Sequence, residues 1–201
     1  LLRSWVDANG GWNVDVAEHA AHARAGFGLE YLEQPCASIE ELVDLRARLH
    51  DWQLPSAADE SVRKAQDPLA VARAGAADIL VIKAQPLGGI HRSLELVAEA
   101  GLPVVVSSAL DTSVGISMGA ALAAALPELS YDCGLATVGL FEYDVAVTPL
   151  VALDGAIDVR RVDVNERVFV DYGTTADRDA WWRARLERCY TRLVTESPAS
   201  L

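Results

Sequence analysis

DILVIKAQPLGGIHRSLELVAEAGLPVVVSSA (78–109) carries the pattern that decides the fold. DILVIKAQP (78–86) is apolar on both faces apart from one lysine, as expected of a strand covered on both sides. His91–Ala100 then repeats apolar residues at three- and four-residue steps, the spacing of a helix with one buried face. LPVVVSSA (102–109) is a second apolar run. Strand, helix and strand in that order mean parallel strands joined by a right-handed crossover.

The same unit recurs on either side. Apolar runs stand at LLRSWVDAN (1–9), GLEYLEQP (28–35), LPSAADES (54–61) and YDCGLATVG (131–139). Helix-like segments lie between them at 14–25, 39–49 and 69–74, and another follows at 112–126. Ser38 with Glu41, Asp67 before Pro68, and Asp111 are the expected caps. Six units at a period of about 25 residues fit an α/β protein, either a (β/α)₈ barrel or an open doubly wound sheet. A closed barrel needs two more strands, expected upstream of Leu1. The lack of an initiator Met fits a piece of something longer. After residue 139 the pattern changes. TPLVALDGAIDVRRV (148–162) predicts a hairpin turning at Asp154-Gly155, Arg167–Tyr172 a short strand, and Asp177 the cap of a helix to about Val194. The closing SPASL (197–201) reads as a frayed end. The expected organisation is a barrel portion, 1–139, and a C-terminal hairpin and helix, 140–201.

Composition narrows the function classes. Of 201 residues, 51% are hydrophobic and 23% charged, which excludes disorder and a disulfide scaffold. Seventeen basic against twenty-nine acidic residues give a net charge of −12, which argues against nucleic acid or an anionic membrane as partner. No apolar run approaches the roughly 18 residues of a membrane span, and no leader pattern opens the chain. Three dispersed cysteines fit a reducing cytoplasm.

The chemistry-bearing residues fall at one phase of the repeat. Asp7, Glu33 and Asp59 end the first three runs at separations of 26 and 26 residues, and Lys83 and Ser107 follow at 24 and 24. Equal phase places all five on the carboxyl rim of the sheet, where barrel enzymes build their sites. One acidic residue there commonly caps a helix or faces solvent. Three together repel one another unless a cation intervenes, and hard oxygen donors suit Mg²⁺. Lys83 is one of two lysines against fifteen arginines; unlike arginine, it can exchange a proton when partly buried, or simply pair with a carboxylate. Gly88-Gly89 offers backbone N–H groups to an anion or forms a tight turn. Ser107-Ser108 contacts a substrate carboxylate or caps the next turn. His19 and His22 lack the intervening glutamate of a zinc-protease helix, and Cys36 reads as packing.

Taken in order, DANGGW (7–12), YLEQPC (31–36), ADES (58–61), VIKAQPLGG (81–89) and VVSSALDTSVG (105–115) resemble the enolase superfamily. Within it they are most similar to the o-succinylbenzoate synthases of menaquinone biosynthesis, over about 1–139 and loosely beyond. The resemblance implies a partial barrel, strands three to eight. It implies Mg²⁺ on Asp7, Glu33 and Asp59, and a cyclohexadiene carboxylate substrate bearing a hydroxyl and a succinyl group. A lysine removes the proton beside the carboxylate, an enediolate forms on the metal, and the hydroxyl leaves. Lys83 would face the opposite side of the ring as a cation, with Ser107, Ser108, Gly88 and Gly89 in segments that contact substrate. The family's principal base, the second lysine of a Lys-x-Lys pair, has no counterpart among two isolated lysines, so the chain alone is expected to be inactive. The alternatives are an N-acylamino-acid racemase or dipeptide epimerase of the same superfamily, and a non-catalytic binding module whose rim carboxylates are caps. CGLATVG (133–139) offers no acidic partner for a substrate amine, which favours the synthase. A homo-oligomer stays open.

Overall fold

The computed structural model describes residues 4–196; residues 1–3 of the first expected run and the expected frayed end at 197–201 lie outside them. Among the described residues, five strands form one parallel sheet: β1 (Ser4–Asp7), β2 (Leu29–Glu33), β3 (Ser56–Ala58), β4 (Ile79–Ile82) and β5 (Val104–Val106). Their spatial order is their chain order. A doubly wound sheet must reverse that order at its switch point, so this winding is the barrel's. The crossovers carry α1 (Val14–Arg24), α2 (Ile39–Leu49), α3 (Glu60–Arg63) with α4 (Ala70–Ala74), and α5 (Ile90–Ala100); α6 (Ser113–Ala125) follows β5.

The period-two alternation of strand side chains splits the core in two. Leu32, Ala58, Leu80, Ile82, Val104 and Val106 point to the helices and pack with residues such as Leu42, Leu45, Leu96 and Ile116. Tyr31, Ala57, Ile79, Val81 and Val105 form a separate cluster on the opposite face. Asp7 and Glu33, the last residues of β1 and β2, and Asp59, Lys83 and Ser107, the first residues past β3, β4 and β5, continue this second alternation.

Strand register explains why a sequence period of about 25 keeps these five residues at one level. Asp7 pairs with Glu33, but Glu33 pairs with Ala57, so Asp59 stands two residues further along. Ala57 pairs with Ile79, so Lys83 advances by another two, and Val81 with Val105 sets Lys83 beside Ser107. The advance averages one residue per strand step, the stagger of an eight-stranded barrel of shear eight.

The sixth expected run behaves differently. Residues 131–139 contribute a single parallel bridge, Ser107 with Gly134, and lead into a 3-10 turn at Thr137–Leu140. A Cβ on Gly134 would meet the Ser107 side chain at 2.8 Å, so glycine is required for this approach although it weakens a strand.

Helix starts follow local chemistry. Ser38 and Glu41 form the expected capping box at α2. Ser38→Ala should cost about 1 kcal/mol, read as a lower urea midpoint at unchanged slope. At α6 the first N–H, from Ser113, goes to Asp144 Oδ1 at 2.9 Å, whereas Asp111 instead accepts from Ala109 N–H and Gln85 Nε2. The expected cap is displaced because a carboxylate 31 residues later reaches the same donor.

The first compact unit ends at Val164, so it includes 140–164, grouped with the tail in the sequence reading. Leu150 is buried there, and its N–H donates to Ser113 Oγ at 2.7 Å. Asp154 and Gly155 form the expected two-residue turn with φ of 52° and 79°, closed by reciprocal Leu153–Ala156 hydrogen bonds. Among the described residues its arms carry the Leu153–Ala156 bridge, meet again at an isolated Ala146–Val164 bridge, and form no longer ladder. The second unit, from Asn165, holds α7 (Glu166–Asp171) and α8 (Ala176–Glu196). The strand expected over 167–172 is thus helical: Asn165 Oδ1 accepts the Arg167 N–H and nucleates a turn. Among the described residues no helix is long and apolar enough to cross a membrane.

Candidate functional site

Lys83 and Asp59 form the centre of the site. Lys83 Nζ donates to Asp59 Oδ2 at 2.5 Å, with the two side chains 9% and 1% exposed. Asp59 Oδ1 accepts from Arg63 Nε at 2.9 Å. Asp59 occupies the cap position of α3 but makes no side-chain cap bond. Its carboxylate therefore pairs with two cations, Lys83 and the Arg63 of α3, rather than with the helix's backbone N–H groups. Arg63 also pairs with Glu60 Oε1, while Glu60 Oε2 is buried without a hydrogen-bond partner among the described residues.

Glu33 lies beside this group, buried at the end of β2. Burial, then the charges of Asp7 and Asp59, push its carboxyl up to about 7 against the opposing pull of Lys83; Glu60 adds a smaller upward push. The three acidic residues thus share one electrostatic field. Burial, then the charges of Glu33, Glu30 and Asp7, also raise the Tyr31 hydroxyl, on the inner face before Glu33. Asp7 is adjacent to Glu33 in register, and its Oδ1 accepts the Asn9 N–H at 2.8 Å.

Among the described residues, no three Asp, Glu, His or Cys side chains are already gathered into a coordination shell. Asp59 is turned toward Lys83 and Arg63. The donor chemistry nonetheless fits a hard divalent cation: carboxylates from three consecutive strands, at one level, with Glu33 holding its proton against its neighbours' charge. An ion on Asp7, Glu33 and Asp59 would take over the charge compensation that Glu33 now lacks.

Of the remaining expected residues, Ser107 lies beside Lys83 in register and the others bond elsewhere. Ser107 continues the inner face beyond β5, and Ser108 Oγ bonds Gly134 O at 2.9 Å and Thr137 Oγ1 at 3.0 Å. Gly88 and Gly89, at φ of 93° and 107°, donate their N–H groups to Gln85 O and Ala84 O. Those donors are spent on a tight turn, so they are not the anion-binding groups. Cys36 is buried, its thiol pushed up to about 11 mainly by burial, as packing requires. His22 stacks on Trp52 at 4.0 Å.

Sequence reading missed Gln34, Glu60 and Arg63. Arg63 was legible in principle, four residues from Asp59 and hence on the same face of any helix begun there. α3 is only one turn long, so no helical repeat marks the segment in the sequence.

The family profile described as "Enolase C-terminal domain-like" matches residues 3–163. A Mycobacterium ulcerans protein named o-succinylbenzoate synthase is 51% identical over 193 residues, 96% of this chain and 58% of its own length. A Mycobacterium tuberculosis (H37Rv) protein of the same name is 53% identical over 190 residues, 94% of this chain and 57% of its own. Among solved structures, 2-chloromuconate cycloisomerase from Rhodococcus opacus 1CP superposes with a TM-score of 0.77 at 29% identity, covering 86% of this chain and 49% of that one. The chain therefore spans somewhat over half the length of the two synthases and about half that of the cycloisomerase.

Proposed function

Because this chain belongs to the enolase C-terminal domain-like family, we propose that it supplies the carboxyl-rim site of an o-succinylbenzoate synthase, a lyase dehydrating a succinyl-hydroxycyclohexadiene carboxylate. The observation that carries this reading is the buried Lys83–Asp59 pair next to Glu33 and Asp7. Asp7, Glu33 and Asp59 would hold Mg²⁺. Bound there, the ion supplies positive charge against the negative charge that develops on the substrate carboxylate when the adjacent proton is lost.

Lys83 presents its ammonium to the inner face of the barrel. Asp59 orients it, and the apolar residues beneath it, Val81 and Ile79, exclude water. An ammonium held in a dry site stabilises developing negative charge far better than one in water. Ser107 places its hydroxyl on the neighbouring strand end for the substrate's polar groups, and Ser108, bonded to Gly134 O, holds that strand end in place. The two lysines of the chain include no Lys-x-Lys pair, so the proton-abstracting base belongs to a longer polypeptide of the relatives' length. Localisation in the cytoplasm follows from the same reading.

Two measurements test this. Isothermal titration of the chain with Mg²⁺ should show binding that Asp59→Asn abolishes; unchanged binding in the variant would return Asp59 to a purely structural role. Assay of the 201-residue chain for o-succinylbenzoate formation should show no turnover, whereas a protein of the relatives' length carrying this segment should dehydrate the substrate. Turnover by the chain alone would refute the assignment of the base.

A further inference from the structure

Gln34 follows Glu33 directly, is fully buried, and has a backbone φ of 34°, a left-handed conformation that side chains other than Gly, Asn and Asp rarely adopt. Its amide uses its full hydrogen-bonding capacity. Oε1 accepts from Asp59 N–H at 2.9 Å and Ser61 N–H at 3.1 Å. Nε2 donates to Cys36 O at 2.9 Å and Ser61 Oγ at 2.7 Å. Its backbone is engaged as well: the C=O accepts from Gly10 N–H at 2.7 Å, and the N–H donates to Ala57 O at 2.8 Å.

These six contacts reach the loop after Asp7, the loop after Glu33, β3 and the first turn of α3. We propose that Gln34 is a positioning residue that sets the spacing of the three rim carboxylates. Strained backbone persists only where surroundings over-determine it, and here the strain turns the side chain sideways into the neighbouring loop. The residue type follows from the same geometry. A glutamate would fill the same volume but lose both N–H donors and add a fourth negative charge beside Asp7, Glu33 and Asp59. A methionine would fill the volume but leave the Asp59 and Ser61 amides unpaired.

The inference rests on the Mg²⁺ reading above, so its test carries a metal-independent readout. Gln34→Met is compared with the unaltered chain by Mg²⁺ titration calorimetry and by amide hydrogen exchange without metal. The expected result is Mg²⁺ affinity lower by about tenfold or more, the usual cost of losing a group that orients a ligand. Protection should be lost at Asp59 and Ser61 and kept in β4 and β5. Equal affinity in both proteins, with Mg²⁺ bound, overturns the positioning role and leaves the metal reading intact. No Mg²⁺ binding by the unaltered chain overturns the metal reading. In that case exchange alone decides: selective loss at Asp59 and Ser61 supports the strut, and unchanged or uniformly faster exchange rejects it. If Gln34→Met does not fold, Gln34→Asn replaces it in both measurements. Asparagine tolerates the left-handed backbone but is one methylene too short to span to Asp59.

Discussion

Glu33→Gln should stabilise the chain at pH 8 by roughly 3 kcal/mol and change it little at pH 4. The native carboxyl titrates at about 7 against an ordinary value of 4.5, chiefly because it is buried and secondly because Asp7 and Asp59 face it. Below pH 4.5 both native and unfolded states carry the proton, and the native state has its full advantage. As pH rises toward 7 the unfolded state releases that proton while the native state retains it, so stability falls. Above 7 the native carboxylate is ionised against its neighbours, and the loss is complete. Lys83 limits the penalty, and Glu60 adds to it. Glutamine carries no proton to lose, so urea midpoints of the variant should stay level across this window. Saturating Mg²⁺ should raise the midpoint of the unaltered chain most at pH 8 and least at pH 4, where a proton competes, and should do neither in the variant. A midpoint of the unaltered chain that is flat from pH 4 to 8 would show that Glu33 ionises freely and that the carboxylates do not share a field.

That field was legible in the sequence only as phase. The spacing of Asp7, Glu33, Asp59, Lys83 and Ser107 survives in the structure because two regularities combine. Alternation puts every second residue on one face, and barrel stagger advances the register by one residue per strand on average. Neither depends on loop detail, so a linear period of about 25 reports it. What the sequence hid depends on single dihedral angles. Gln34 reads as an ordinary strand-end residue until its φ of 34° turns it toward Asp59. Residues 167–172 have the apolar, β-branched content of a strand, yet one Asn165 cap bond makes them helical. Short apolar runs are ambiguous between the two, and a local cap decides. Asp144 displaces Asp111 at α6 through a contact that no local pattern could reveal.

Lys83→Met, in a protein of the relatives' length, should lower kcat by about 10²–10³, the usual loss when one preorganised charge-stabilising group is removed. In the 201-residue chain it should also cost up to about 3 kcal/mol, because it strips one cation from a buried carboxylate. Arg63 remains on the other oxygen, which keeps the cost at the lower end for a broken buried pair. The two effects separate with Lys83→Arg. A guanidinium restores the positive charge beside Asp59, so thermal stability should largely recover. Catalysis should not, since a planar fork wider than an ammonium does not reproduce its compact charge toward the substrate of the proposed reaction. Stability rescued without turnover therefore marks Lys83 as a group aimed at substrate. Turnover rescued in step with stability would mean that Lys83 serves only to neutralise Asp59, and the catalytic cation would then have to come from elsewhere in the longer protein.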